Sequence, residues 1–394
     1  MSTLAKAHGL DRTLVEPDWP PLTLDEVRGL VARFPNIDEP LKLLSVSPRP
    51  FSAASVVATS GGRIFVKRHA RLVRDSEGLV EEHRFMAHLL AHGAVVPRVF
   101  ATADGETAIE MGDWVYEVHE TPEGVDLYED ALSWTPFLSN GHAYSAGQAL
   151  AKLHHASTGY DAPARRGRAL VAGFTIYSRK DAATEMDNYI ASRPALAEYL
   201  SIRSCQDETV ALLEPFHKKL SPLLPELAEL WTHNDLHASN LLWSNDTAEA
   251  RAAAVIDFGL ADRTCAVHDL AHAIERNIVE WLALVEDPTH PECVPIHLDH
   301  LYELLRGYES VRPLSETEAA ALAPMTALCH VEFALSETDY FLSVLHSRDK
   351  SYMACEGYLV SHARWFRGAC DVLLDALRMW ESTRRRQPNG GAGR

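Results

Sequence analysis

The chain has 394 residues, of which 46% are apolar and 23% charged, enough for roughly two to three folding units of about 150 residues each and too apolar for disorder over most of its length. Lysine and arginine number 37 against 55 aspartate and glutamate, a net charge of −18 that repels a phosphate backbone, excludes nucleic acid as the expected partner and favours cationic small molecules. No run of consecutive apolar residues approaches the roughly 18 that span a bilayer, the N-terminal segment lacks a basic stretch followed by a hydrophobic one, and the cysteines form no CxxC pair, so a reduced cytoplasmic protein without membrane association is expected.

Residues 1–41 read as an N-terminal extension in which Thr23-Leu-Asp-Glu26 resembles a capping box and predicts a short helix. Residues 42–119 read as an N-terminal lobe. Within it 43–46, 54–59 and 63–67 predict an antiparallel meander with a Ser60-Gly61-Gly62 turn. Residues 77–92 carry Leu79, Phe85, Met86, Leu89 and Leu90 at helical spacing, with Gly93 as a stop. Two further strands are predicted over 108–111 and 114–119, and Thr121-Pro-Glu-Gly124 makes 120–124 a hinge. From 125 to 383 helical periodicity dominates, over 142–156, 180–200, 207–222, 267–286, 298–309, 316–346 and 352–381, with strand signals only at 241–243 and 253–256. Residues 384–394 read as a flexible tail. The expected fold class is α+β and bilobal, a small antiparallel sheet lobe joined to a large, mainly helical lobe.

Between 231 and 262 the chain reads WTHNDLHASNLLWSNDTAEARAAAVIDFGLAD. His233, Asp235 and Asn240 fit H-x-D-x-x-x-x-N, and 22 residues after Asp235 comes Asp257 in Ile-Asp-Phe-Gly259. Phosphoryl transfer asks for positioning and charge neutralisation, and this set supplies both. Asp235 accepts or orients the proton of an attacking hydroxyl. The Asn240 amide oxygen and the Asp257 carboxylate are hard oxygen ligands for Mg2+, and Gly259 permits the tight turn beside Asp257.

In that combination the stretch resembles the aminoglycoside phosphotransferase and choline kinase superfamily, which shares the protein-kinase-like fold; the layout is most similar to bacterial homoserine-kinase-like and stress-response-kinase-like members. The resemblance covers residues 43–275. It implies ATP and Mg2+ as cofactors. Lys67, in Arg63-Ile-Phe-Val-Lys67, would hold the α- and β-phosphates, and Glu82, preferred over Glu81 by helix phase, would pair with Lys67. Leu153-His154 and Asp269, in Ala266-Val-His-Asp269, match supporting positions, Asp269 as a structural anchor. Two departures stand out. The phosphate loop Ser47–Ser55 has no glycine, so backbone amides with Ser52 and Ser55 would make the phosphate contacts, and Asn234 stands where many members have glycine. The adenine edge is expected at Glu120 or Thr121, since Pro122 has no N–H, with Val66, Leu242 and Ile256 as apolar walls.

No Ala-Pro-Glu segment follows Asp257, which favours a small-molecule hydroxyl acceptor such as an amino alcohol, sugar or aminoglycoside over a protein. Tyr177, Glu185, Asp187, Tyr189, Glu275, Arg276, Glu280, Trp281, Glu332, Glu337, Asp339 and Tyr340 lie where the superfamily builds its acceptor pocket and would suit a cationic acceptor. The alternatives are a protein Ser/Thr kinase of the stress-response type, a silent kinase-like nucleotide binder and, remotely, a zinc hydrolase using His233, Asp235 and His237 with His268 and His272.

Overall fold

The computed structural model describes residues 17–386 except 48, 49, 130, 132–134, 167 and 168. The first 16 residues, Pro48 and Arg49 of the expected phosphate loop and the tail beyond 386 lie outside the described residues; residues 384–386, expected in the tail, continue the last helix.

The capping box forms: Thr23 Oγ1 accepts the N–H of Glu26, whose carboxylate accepts the N–H of Thr23, opening α1 (Leu24–Val31). Val27, Leu30 and Val31 of α1, with Leu22 and Phe34, pack against Val57, Ile64, Val66, Tyr116 and Val118. Residues 22–34, expected as an extension, are therefore the helical cover on the outer face of the sheet. Glu26 fastens it there, accepting from Arg68 at 2.6 Å and Tyr116 at 2.5 Å.

That sheet has five antiparallel strands, β1 (Pro40–Leu43), β2 (Ala53–Thr59), β3 (Gly62–Ala70), β4 (Ile109–Met111) and β5 (Trp114–Glu120), in the order β1-β2-β3-β5-β4. Between β3 and β4 runs α2 (Ser76–Ala91), capped by Asp75. The first strand ends where 43–46 predicts it to begin. Residues 44–47 still run beside β2, but only Leu44 and Ser47 donate across, to Val56 and Ala54, each at 2.8 Å. Strand parity sorts the side chains, with Ala54, Val56, Phe65 and Lys67 facing the interlobe cleft and Ala53, Val57, Ile64 and Val66 facing α1.

Past the connector come α3 (Asn140–Ser157), α4 (Ala182–Ala191), α5 (Pro194–Leu200) and α6 (Cys205–Leu220), then four short strands, β6 (Glu229–Thr232), β7 (Leu241–Trp243), β8 (Ala252–Val255) and β9 (Asp262–Cys265). The helical remainder is α7 (Ala266–Ile278), α8 (Trp281–Glu286), α9 (Leu298–Glu309), α10 (Glu316–Leu328), α11 (His330–Ser343), α12 (Arg348–Tyr352), a π-helical segment over 353–360, α13 (Ser361–Gly368) and α14 (Asp371–Arg386). Three expected helices are broken, the 352–381 stretch at 369–370 between α13 and α14. The 180–200 stretch interrupts before Pro194, whose ring disfavours helix in the residue ahead of it, and 267–286 opens at Val279, which is extended and bridges to Ile296. The span Glu316–Ser343 is long and apolar enough to cross a bilayer, yet 94% of its apolar window is buried inside the protein, as befits a core helix. β7 and β8 pair as a hairpin, and β6 pairs with β9, so the loops that follow β6 and β8 open side by side.

The connector is pinned to β7 by reciprocal bonds between Val125 and Trp243, at 2.7 and 2.9 Å. Gly124, with φ +140°, lets it pass, since a Cβ there would stand 2.8 Å from that of Leu242.

Candidate active site

The loop after β6 carries His233, Asp235 and Asn240, and buried side chains from α7 hold its backbone. Asp269 accepts the N–H of His233 and of Asn234, both at 2.8 Å, and is itself bonded by His154 Nε2 at 3.0 Å. Two turns on, Asn277 accepts the N–H of Ala238 at 3.0 Å and donates to the Leu236 carbonyl at 2.9 Å. Asn234 sits at φ +60°, the left-handed region that asparagine tolerates better than most residues, so it substitutes for glycine here. Its Oδ1 accepts from Thr232 at 2.9 Å and Thr264 at 3.1 Å. His233 accepts the Asp235 N–H at Nδ1, 3.2 Å, which leaves Nε2–H to donate to the Ile256 carbonyl at 3.0 Å.

This bracing fixes the reactive groups. Asn240 Nδ2 donates to Asp235 Oδ2 at 3.1 Å and to the Asp235 carbonyl at 2.9 Å, so the amide presents Oδ1 as its remaining polar atom. Arg276 Nε stands 3.4 Å from Asp235 Oδ1 and His237 Nε2 3.6 Å from Oδ2. Burial works to raise the Asp235 carboxyl, but His237 and then Arg276 outweigh it and hold the group at about 2. Asp257, also left-handed at φ +60°, accepts from the Gly259 N–H at 3.3 Å and from Lys67 Nζ at 2.9 Å. Burial again opposes ionisation and the Lys67 ammonium overrides it, placing the carboxyl well below its usual range. The reciprocal holds for Lys67, where burial favours the neutral amine and the charges of Asp257, Glu117 and Glu82 reverse the outcome and raise it.

Ser52, Lys67, Glu82, Glu120, Thr121, Asn240 and Asp257 border one cleft between the lobes, together with Leu242 and Ile256. A smaller pocket shares Ser52, Lys67, Asn240 and Asp257 with it and adds Asp235, His237, Arg276 and Phe333. Three expectations change. The Glu82 carboxylate is held by Arg74 at 2.6 Å and Arg165 at 3.0 Å, while Lys67 pairs with Asp257. Ser55 belongs to the strand face opposite Ala54 and Val56, its hydroxyl donates to the Ser45 carbonyl at 2.5 Å, and it does not line the cleft. Val66 shares that parity and packs in the core under α1. At the hinge, the Glu120 N–H is committed to the Arg98 carbonyl at 2.8 Å, which leaves Thr121 as the donor of the expected pair. Thr121 Oγ1 is buried without a hydrogen-bond partner.

The acidic and aromatic residues expected around the acceptor do not gather there; of that set, Arg276 alone lines the smaller pocket. Glu332 instead holds the chain at 175–176, accepting the Thr175 N–H and, at 2.6 Å, the Ile176 N–H, and burial lifts its carboxyl to about 7. The proposed zinc set does not converge either. His233 is bonded to Ile256, His268 Nδ1 to Asn234 at 3.2 Å, and among the described residues the group with ligand atoms in mutual reach is His83, Glu117 and His119. Arg74 and Arg165 carry no local sequence signal. Asn277 follows Asp269 at a two-turn interval on one helix face, and that spacing is the trace it leaves.

Two lobes enclosing a lysine, two ionised aspartates and an asparagine on one cleft define a phosphotransferase of the protein-kinase-like fold. The chain belongs to the phosphotransferase enzyme family, whose model matches residues 50–314. It is 27% identical over 324 residues to a homoserine kinase of Phenylobacterium zucineum, covering 80% of this chain and 84% of that protein. A homoserine kinase of Granulibacter bethesdensis is 26% identical over 292 residues, 71% and 75% of the two chains. Among solved structures, the microcompartment-associated aminopropanol kinase shares the fold with a TM-score of 0.57 at 20% identity, over 91% of this chain and all of that one. Amicoumacin kinase, solved with AMP-PNP, Ca2+ and Ami, gives 0.54 at 15% identity over 87% and 92%. The chain is an ATP-dependent small-molecule phosphotransferase that acts on an alcohol.

Proposed function

We propose that the acceptor is a small hydroxy compound bearing a carboxylate, of the hydroxy-amino-acid class, and that transfer to it depends on Mg2+. One observation carries the acceptor assignment: in the pocket that holds Asp235, a buried guanidinium, that of Arg276, stands 3.4 Å from its carboxylate. An arginine in that position matches a carboxylate and opposes a cation. The relatives named homoserine kinase support the same class.

Asp235 accepts a hydrogen bond from the acceptor hydroxyl and aims its oxygen at the γ-phosphorus. Held at about 2, it is a weak base, so it orients the nucleophile more than it strips its proton, which suits a loose phosphoryl-transfer transition state. Lys67 lies on the same rim to take the α- and β-phosphates, and Thr121 offers its N–H and its unpartnered hydroxyl to the adenine edge. Asn240 Oδ1 and the Asp257 carboxylate are the hard oxygen pair that would hold Mg2+, which when bound neutralises triphosphate charge.

ADP release measured over hydroxy amino acids, their decarboxylated amino alcohols and sugars tests this reading. Hydroxy amino acids are expected to turn over best, and Arg276→Met to raise their KM while leaving that of the amino alcohols unchanged. Preference of the parent for the amino alcohol over its carboxylate counterpart would overturn the assignment.

A further inference from the structure

Behind the nucleotide cleft, inside the sheet lobe, three histidines converge on one carboxylate. Glu117 and His119 are two apart on β5 and so share a face, and α2 lays His83 over it. Glu117 Oε2 lies 2.7 Å from His83 Nε2 and 2.9 Å from His119 Nε2, and its Oε1 lies 2.9 Å from the Nε2 of His69 on β3. All four side chains are buried. One ligand atom each from His83, Glu117 and His119 falls within 4.8 Å of the others. No step of the transfer described above is assigned to these residues, although the Glu117 charge helps to raise Lys67.

We propose that His83, Glu117 and His119 bind a divalent transition-metal ion of the Zn2+ class, with water completing the shell, distinct from the Mg2+ pair Asn240 and Asp257. Two imidazole nitrogens and one carboxylate oxygen, with a fourth position open to water, are a donor set such an ion takes, and they differ from the all-oxygen set of Mg2+; His69, bonded to the other Glu117 oxygen, orients that carboxylate. The outer support is present as well. His83 Nδ1 is held by Thr107 Oγ1 at 2.9 Å, the kind of contact that turns a ligating imidazole so that Nε2 faces the metal. Glu117 and His119 also border the nucleotide cleft, which gives an ion a way in. Without the ion, Nε2 protons fill the same space by donating to Glu117; ligation through Nε2 needs the tautomer with its proton on Nδ1.

The test is spectroscopic and independent of catalysis. Chelator-treated full-length protein, with excess Mg2+ to saturate the oxygen pair, is titrated with Co2+ and then Zn2+. Stoichiometric Co2+ with the strong visible d–d absorption of a four-coordinate site is expected, displaced by Zn2+ and unchanged in Asp257→Asn. His83→Gln and His119→Gln keep a hydrogen-bond donor for Glu117 and are expected to abolish the absorption. Thr107→Val, which leaves every ligand in place, is expected to weaken Co2+ by roughly 10–100-fold; it decides the matter if a ligand variant fails to fold, as judged by circular dichroism. No absorption in the folded parent, or the parent's affinity retained in Thr107→Val or in a folded His83→Gln, would overturn the proposal.

Discussion

The floor and the roof of the cleft are built on different rules. On the floor, most of the catalytic loop is fixed by partners close in sequence or on the one helix behind it: Asn240 on Asp235, Asp269 and Asn277 on the loop backbone. On the roof the charges come from segments far apart, and they pair by proximity after folding. Lys67 reaches Asp257, 190 positions away, and Glu82 takes Arg165, 83 away, along with Arg74. Local spacing therefore specifies geometry on the floor, whereas on the roof it specifies only which charges will be present.

The sharpest way to break this comparison is Glu82→Gln. If Glu82 serves the fold, removing its charge leaves Arg74 and Arg165 buried without a counter-ion, at about 3–5 kcal/mol. Denaturant unfolding should show that loss while the KM for ATP of the folded fraction stays near the parent's. A KM effect at unchanged stability would return Glu82 to the Lys67 partnership. Asp257→Asn should do the reverse, lowering kcat at saturating ATP by roughly 10²–10³-fold with little change in unfolding midpoint. Asp269→Asn replaces one of two carboxylate acceptors by a donor, and the loop N–H left unpaired should cost about 1–3 kcal/mol, seen in both stability and turnover because the floor is a single braced unit.

The smallest effect concerns the helices beneath the floor. Burial lifts Glu337 to about 7, above its unfolded value. The sign follows: its contribution is fully present below the unfolded pKa and is lost as pH rises through about 7. Glu337→Gln does not titrate, so its melting temperature relative to the parent should rise by the order of 2–4 °C between about pH 5 and about pH 8. A gap independent of pH would contradict the burial assignment.

The same contrast explains what could be read before folding. The capping box at Thr23, the β7 strand and α9 match their expected positions, since caps and periodicity are local signals. The catalytic loop and the turn at Asp257 were legible because their chemistry fixes residue types at short intervals. Ser55 and Val66 were misplaced by one step of strand parity, which composition does not reveal. β6 and β9 are four residues each and gain their stability from pairing with one another, so neither stands out alone. Arg74 and Arg165 lie in connecting segments with no periodicity, and Arg276 reads as one charge on a helix until the fold buries it beside Asp235.

Phosphorus NMR of the parent and Asp235→Asn, each with ATP, Mg2+ and a hydroxy amino acid, tests the account most directly. The parent should accumulate a phosphomonoester in step with ADP, and Asp235→Asn should bind ATP as tightly but form both roughly 10²–10⁴-fold more slowly. Equal rates of phosphomonoester formation by the two proteins would contradict it.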